Sequence, residues 1–324
     1  MIYIDTEPYR KKKNYFGNRT TVEELYFERI LDKSKNLLDL AELKVFIEKN
    51  IPNGIGSNWN GEAVFKYLIL LPPEELAKFA KIKYTEICND LKSSQSEVVD
   101  DLKKVYTDYS ILSKSIVLGK SEININQFLV RELGITVCPY CNRNYINNRG
   151  DRFAAQMDHF YSKDEFPWLA VSLYNLIPSC GACNHIKGTK DFNVHPFIKS
   201  DVEKNEVKFS YQQTTSDDVK VIISTTKVRK GDIGTIKLEE AYSIHNLDVR
   251  NMLLREEKYS KKYREELRQL LQTDGGIESQ LSLTDDEIDR MIYGDVIFEE
   301  DIKNVSLGKF RKDIYQEIKK LRDY

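Results

Sequence analysis

Cys138-Pro-Tyr-Cys141, Asp158-His159-Phe160 and Asn175-Leu-Ile-Pro-Ser-Cys180-Gly-Ala-Cys183-Asn184 decide how the middle of this chain folds. Each Cys-x-x-Cys pair offers two thiolates from one tight turn, and two such turns complete a tetrahedral Cys₄ set. A redox dithiol or core cysteines would account for one pair, but not for two in one short segment. Zinc is the ion that suits four thiolates. The site is expected to be structural, because Cys138, Cys141, Cys180 and Cys183 leave no open coordination position. Its role would be to fold a segment too small to bury much surface, since metal affinity becomes folding free energy.

The residues between the pairs carry different chemistry. Asp158 is a hard oxygen ligand suited to Mg²⁺, and His159 beside it titrates near neutrality. The pattern predicts a strand over 153–157, with Asp158 and His159 opening the loop after it. Asn184 is expected in the first turn of a helix running through Ile186 and Lys187, with its carbonyl opposite Asp158. Aspartate plus asparagine favours Mg²⁺ or Mn²⁺. An acid–imidazole pair with a later amide is what hydrolysis of a phosphodiester with one divalent metal requires. Adjacent helical residues point about 100° apart, so His185 is not expected to share an ion with Asn184. His185 is read as a phosphate contact or a solvent-facing residue. Lys187 and Lys190 are read as contacts to a nucleic-acid backbone or as a solvated helix face. Structural roles are expected for His195 and His245, an anchoring role for Trp168, and burial as a small apolar residue for Cys88.

The chain has 324 residues, 41% hydrophobic and 31% charged, which gives room for two or three domains. No apolar run approaches the roughly 18 residues of a membrane span, and the start lacks a signal-peptide pattern. Five cysteines, four of them in metal-type pairs, point to a reducing, cytoplasmic setting. A net charge of −2 argues against a free-standing, high-affinity DNA binder. Basic clusters at 10–13, 258–268 and 309–322 are interleaved with acids or lie on helices, so they read as solvated faces. Part of any nucleic-acid affinity would then come from a partner.

The expected fold class is α+β. Residues 1–130 form a mostly helical region suited to partner docking, 131–199 a zinc-stapled nuclease domain, and 200–324 a β-hairpin plus helices. Thr21 with Glu24 and Thr284 with Glu287 are capping boxes. Helices are expected over 37–48, from Pro73, over 97–114, 238–271 and 285–293, and over 309–321. Strands are expected over 207–211 and 219–224.

The string from Asp158 to Gly188 resembles the HNH endonucleases of the ββα-metal fold, whose zinc-stapled subgroup has the same two knuckles. The resemblance covers about 135–197. It implies His159 as general base, Asp158 and Asn184 as ligands of a catalytic Mg²⁺ or Mn²⁺, and Asn175 as a brace of the metal loop. The last position is often His in that family; here Asn184 matches the Asn variant. The phrases Asp158-His-Phe-Tyr, Leu169-Ala-Val-Ser-Leu-Tyr-Asn-Leu-Ile-Pro-Ser-Cys and Ala241-Tyr-Ser-Ile-His are similar to HNH nucleases of Septu-type anti-phage systems. That resemblance implies a DNA-cutting effector gated by an ATPase subunit. Two readings stay beside it. One is a zinc-ribbon binding module without catalysis; the other is a stand-alone restriction or homing nuclease, which would be expected to carry a sequence-reading module.

Overall fold

A computed structural model describes residues 2–323, apart from 16, 52–53, 57, 82, 87–93, 108–114, 119–120, 151, 216–217, 274–282 and 299–301. Cys88 lies outside the described residues. The fold is α+β: helices predominate, and the strands form two-stranded antiparallel hairpins. No described helix is long and apolar enough to cross a membrane. The chain divides into two compact units, Met1–Lys204 and Asn205–Tyr324.

In the first unit a short helix α1 (Glu7–Arg10) and a hairpin β1 (Lys13–Tyr15)/β2 (Asn18–Thr20) precede α2 (Val22–Ser34). Thr21 caps α2: its side chain accepts from Glu24 N at 3.1 Å, and Glu24 Oε2 accepts from Thr21 N at 3.0 Å. Such a box satisfies two amide protons that the helix start leaves orphaned. Helix α3 spans Leu40–Asn50 and starts later than expected, because the Asp39 carboxylate takes the amides of Ala41 and Glu42. Helices α4 (Gly61–Ile69), α5 (Pro73–Phe79) and α6 (Ser94–Thr107) follow. Helix α6 begins at Ser94 rather than 97, and the expected 108–114 end lies outside the described residues. The hairpin β3 (Ser115–Leu118)/β4 (Ser121–Asn124) and α7 (Ile125–Leu133) had no counterpart in the sequence reading. Helix α7 carries its own capping box, Asn124 with Gln127, and ends at Gly134 in the left-handed region (φ 62°).

These helices hold the segment between the two cysteine pairs. The Trp168 indole is buried, donates to Phe79 O at 2.8 Å and packs on Phe46 and Phe166. Ser172 Oγ donates to Leu68 O at 2.5 Å, and Tyr26 OH donates to Val171 O at 2.9 Å. Residues 2 and 4 run beside the cysteine-rich segment, donating to Pro139 O and Pro196 O, each at 2.9 Å. A loop tied to backbone carbonyls of α4 and α5 and to the Tyr26 and Phe46 side chains of α2 and α3 has few ways to move. The zinc-type segment continues through β5 (Gln156–His159), β6 (Leu176–Ser179), α8 (Gly181–Lys187) and α9 (Lys199–Lys204).

The second unit opens on the hairpin β7 (Lys208–Gln213)/β8 (Val219–Ser224), followed by α10 (Lys227–Thr235) and α11 (Leu238–Ser243). The helix expected over 238–271 is three pieces, α11, α12 (Asn246–Lys258) and α13 (Lys261–Thr273), broken near His245 and near Ser260. Helices α14 (Asp285–Tyr293) and α15 (Gly308–Lys319) complete it. Phe209, Tyr242, Val249, Phe310, Ile314 and Ile318 form the core. His245 takes part in it, stacked near Tyr242 and Phe310 with Nδ1 at 2.7 Å from Asp248. Asp289 is fully buried but fully partnered: Arg264, Arg322 and Tyr315 all donate to it at 2.6–2.8 Å. A buried carboxylate with that many donors avoids the desolvation cost of an unpaired charge.

Candidate metal centre and active site

The first knuckle is a ribbon folded back on itself. Cys138 N donates to Asn144 O at 2.9 Å, and Asn142 N donates to Cys138 O at 2.8 Å. Asn142 sits at φ 51°, a left-handed position that asparagine tolerates better than most side chains. The second knuckle is a helix start: Cys180 is the N-cap of α8, and Cys183 lies in its first turn. Together they bring four buried sulfurs within 4.8 Å of one another. A tetrahedral zinc with bonds of about 2.3 Å places its sulfurs about 3.8 Å apart, so the cluster fits that ion. Cys141 and Cys180 Sγ are 4.0 Å apart. Arg143 N lies 3.4 Å from Cys141 Sγ and Asn144 Nδ2 lies 3.2 Å from Cys180 Sγ, donors of the kind that stabilise thiolates. Burial pushes the Cys138 thiol up, while hydrogen bonds from Cys138 and the other thiols hold Cys180 down. A bound dication would remove the conflict by favouring the thiolate at every position.

Strand β5 pairs with β6 in the register Gln156↔Ser179, Met157↔Pro178, Asp158↔Ile177 and His159↔Leu176. Asp158 and His159 are therefore the last two residues of a strand, not the start of the loop after it. The ladder to β6 carries pairing two residues beyond the expected end at 157 and starts it three residues later, at Gln156. Successive strand residues face opposite sides, and this sets the site's geometry.

On one side, Gln156 and Asp158 meet α8. Asn184 and Lys187 are three residues apart on that helix and share a face. Asn184 Nδ2 donates to Gln156 Oε1 at 2.8 Å. Lys187 Nζ lies 3.1 Å from both carboxylate oxygens of Asp158 and 2.7 Å from His159 O. Tyr140, between the cysteines of the first knuckle, donates its OH to Asp158 Oδ2 at 2.6 Å. Asp158 is thus gripped by both knuckles. Burial pushes its carboxyl up to about 6, against the pull of Lys187 and Tyr140. Asp158 and Asn184 lie on one strand–helix interface without bonding each other. The Asn184 contact to Gln156 uses the amide nitrogen, so its oxygen, the metal-binding atom, is not in that bond. A carboxylate and an amide oxygen are a donor set suited to Mg²⁺ or Mn²⁺.

On the other side, His159 meets the loop held by the N-terminal helices. Its Nε2 is 2.9 Å from Ala170 O. A carbonyl only accepts, so Nε2 carries the proton and Nδ1 keeps its lone pair. The ring packs edge-on against Tyr106 of α6, with centroids 4.7 Å apart. Burial pushes the His159 pKa down to about 4, so the imidazole is neutral at physiological pH. Asn175 is fully buried and ties the same loop together. Its Oδ1 accepts from Tyr161 N at 2.8 Å, and its Nδ2 donates to Tyr161 O at 3.0 Å and Leu169 O at 2.9 Å. His159 and Asn175 therefore use consecutive carbonyls of one loop.

The structure corrects one reading outright. Lys187 is not on a solvated helix face and is not placed to touch a nucleic-acid backbone; its side chain has no exposure and is paired with Asp158. Helix α8 puts it three residues after Asn184, on the face that packs against β5. His185 and Lys190 are exposed. His195 is buried beside Phe160 and accepts from Phe197 N at 3.2 Å through Nδ1. Tyr140 and Gln156 had no role in the sequence reading. The signals were present, since Tyr140 is held inside a knuckle and Gln156 shares a strand face with Asp158.

No family model matches this chain. A stretch of 124 residues, 37% of the chain, is 32% identical to the Septu protein PtuB of Bacillus thuringiensis. That stretch covers 45% of the relative, so the chain matches less than half of that protein's length. No solved structure matches.

Proposed function

We propose that this chain is a metal-dependent nuclease of the HNH type, serving as the DNA-cutting effector of an anti-phage defence system. The observation that carries the reading is the end of β5. There a carboxylate beside an amide-bearing helix and an imidazole whose Nδ1 lies outside its bond to Ala170 O are consecutive residues. The similarity to the Septu protein PtuB supports the defence role and a partner in the same system; an ATPase is the partner implied by the resemblance of Asp158–Cys180 to Septu-type nucleases.

In this mechanism Asp158 and Asn184 would hold one Mg²⁺ or Mn²⁺, which stabilises charge on the phosphate and on the leaving oxygen. His159 Nδ1 takes a proton from water, the water oxygen bonds to phosphorus, and the bond from phosphorus to the leaving oxygen breaks. The depressed pKa keeps His159 unprotonated and able to accept. The Ala170 carbonyl fixes the tautomer and the ring plane, as the partner of a general base must. Asn175 acts through the loop and is a positioning residue.

The test is cleavage of plasmid and of single-stranded DNA by the full chain, alone and with its co-purifying partner, in Mg²⁺, Mn²⁺ or EDTA. Cleavage that needs the divalent ion is the expected result. DNA binding through the zinc unit without cleavage under any of these conditions would favour a zinc-ribbon module instead.

A further inference from the structure

We infer that Arg149 and Arg152 form a two-arginine clamp for the phosphate backbone of a nucleic-acid strand. The inference takes its ligand from the nuclease reading, on which it rests. The two arginines are directly opposite each other in an antiparallel pair. Arg149 N donates to Arg152 O at 2.9 Å, and Arg152 N donates to Arg149 O at 3.0 Å. Gly150, at φ 60°, lets the chain reverse between them. Residues that exchange both bonds have Cα atoms about 5.5 Å apart, with their side chains on one face. Both arginines are exposed. Like charges directly opposite on one face destabilise a hairpin, so stability does not account for the pair. Two guanidinium forks this close suit an anion lying between them, and phosphate oxygens match such a fork bidentately.

The surroundings narrow the anion to nucleic acid. Residues 143–157 hold three arginines, Arg143, Arg149 and Arg152, and one acid, Asp151, in a chain whose net charge is −2. Tyr145, on the same ribbon, is 56% exposed. An aromatic face among positive charges suits a strand whose bases stack while its phosphates pair. The ribbon is anchored on both sides of Tyr145. Asn144 Nδ2 lies 3.2 Å from Cys180 Sγ, and Asn148 Nδ2 donates to Gln127 O at 3.2 Å. Arg152 comes four residues before Gln156, the residue bonded to Asn184. At most about 14 Å of chain therefore separates the clamp from that strand–helix interface. Phosphate contacts position a strand without reading its sequence. The clamp sets affinity and register and takes no part in the chemistry.

The test is fluorescence anisotropy of the zinc-loaded full chain with a labelled DNA duplex and a labelled single strand, each in two unrelated sequences, without added Mg²⁺ or Mn²⁺. Arg149→Ala and Arg152→Ala should each weaken binding about fivefold or more, alike for both sequences. Each should also lower the slope of log Kd against log salt concentration, by about 0.9 on the duplex or about 0.7 on the single strand. Tm and zinc content should hold, because removing one of two opposed like charges relieves the hairpin. Arg250→Gln, at an exposed position of the second unit, controls for a general loss of charge and should leave binding unchanged. Wild-type affinity in both Arg149→Ala and Arg152→Ala would overturn the inference and leave the nuclease reading intact. So would an equal loss in Arg250→Gln, since the effect would then be one of net charge. No binding of either DNA by wild type at low salt would overturn the inference too, and divalent-dependent plasmid cleavage would then decide the nuclease reading separately.

Discussion

The two candidate cation sites of the first unit are linked through Tyr140 and helix α8 and differ in kind. The Cys₄ cluster gathers four like ligands within 4.8 Å, all from two short turns, and needs nothing from outside the chain. The Asp158 site has one carboxylate, an amide turned towards Gln156, and a buried lysine on the carboxylate. The first is a complete ligand set, as structural zinc sites are; in the second the single carboxylate is buried and bonded to Lys187 and Tyr140. They are also joined. Tyr140 lies in the first knuckle and Lys187 in the helix that starts at Cys180, and both hold Asp158. The two cysteine-bearing segments therefore supply the groups that hold Asp158.

That link is open to breaking from either end. The largest effect should come from Cys180→Ser. Structural zinc contributes much of the folding free energy of such segments, so the loss should be several kcal/mol, roughly 10 °C or more in Tm. Zinc content by atomic absorption should fall with it, and Mn²⁺ binding at Asp158 should go too. Retained Mn²⁺ binding in a zinc-free variant would show that the sites are independent.

Asn175→Ala should be milder in stability and more selective in effect. It removes three hydrogen bonds from a buried site, which costs about 2–4 kcal/mol. Zinc should stay bound while cleavage falls, because the loop that orients His159 through Ala170 is loosened. Cleavage at the wild-type rate would mean that the loop does not position the base.

The smallest effect is one of pH and separates the two faces of β5. His159 has its folded pKa depressed from 6.5 to about 4, so its contribution is lost as pH falls through that range. Asp158 is raised from 3.8 to about 6, so its contribution is lost as pH rises. The two oppose each other between about pH 4 and 6, each worth at most about 3 kcal/mol. Thermal unfolding without added Mg²⁺ or Mn²⁺ should be nearly flat there for wild type. Asp158→Asn should lose stability as pH falls, and His159→Gln should gain it. The same slope in both variants would refute this division.

What the sequence made legible follows the range of the interactions. The Cys₄ cluster and the capping boxes at Thr21 and Thr284 depend on spacings of three residues, and the structure shows each of them. The buried role of Lys187 was not legible. It depends on Asp158, 29 residues earlier, and a lysine in a polar helix reads as solvated until its partner is known. The place of Asp158 and His159 inside the strand was missed for a related reason: β6, not local pattern, sets where β5 ends. The N-terminal helices, expected as a region suited to partner docking, also grip the 168–172 loop through Phe79, Leu68 and Tyr26, contacts more than 85 residues apart in the chain and so invisible to local pattern. Short hairpins such as β3/β4 escaped because four-residue strands leave little alternation to read.

The most direct test of the second site is plasmid nicking by wild type and His159→Ala side by side, in Mn²⁺ and in EDTA, with zinc content and Tm measured on the same samples. The expected result is nicking by wild type only with Mn²⁺. In His159→Ala it should be lower by about 10²-fold or more, with zinc retained. Nicking by a zinc-loaded His159→Ala at the wild-type rate, or nicking that persists in EDTA, would contradict it.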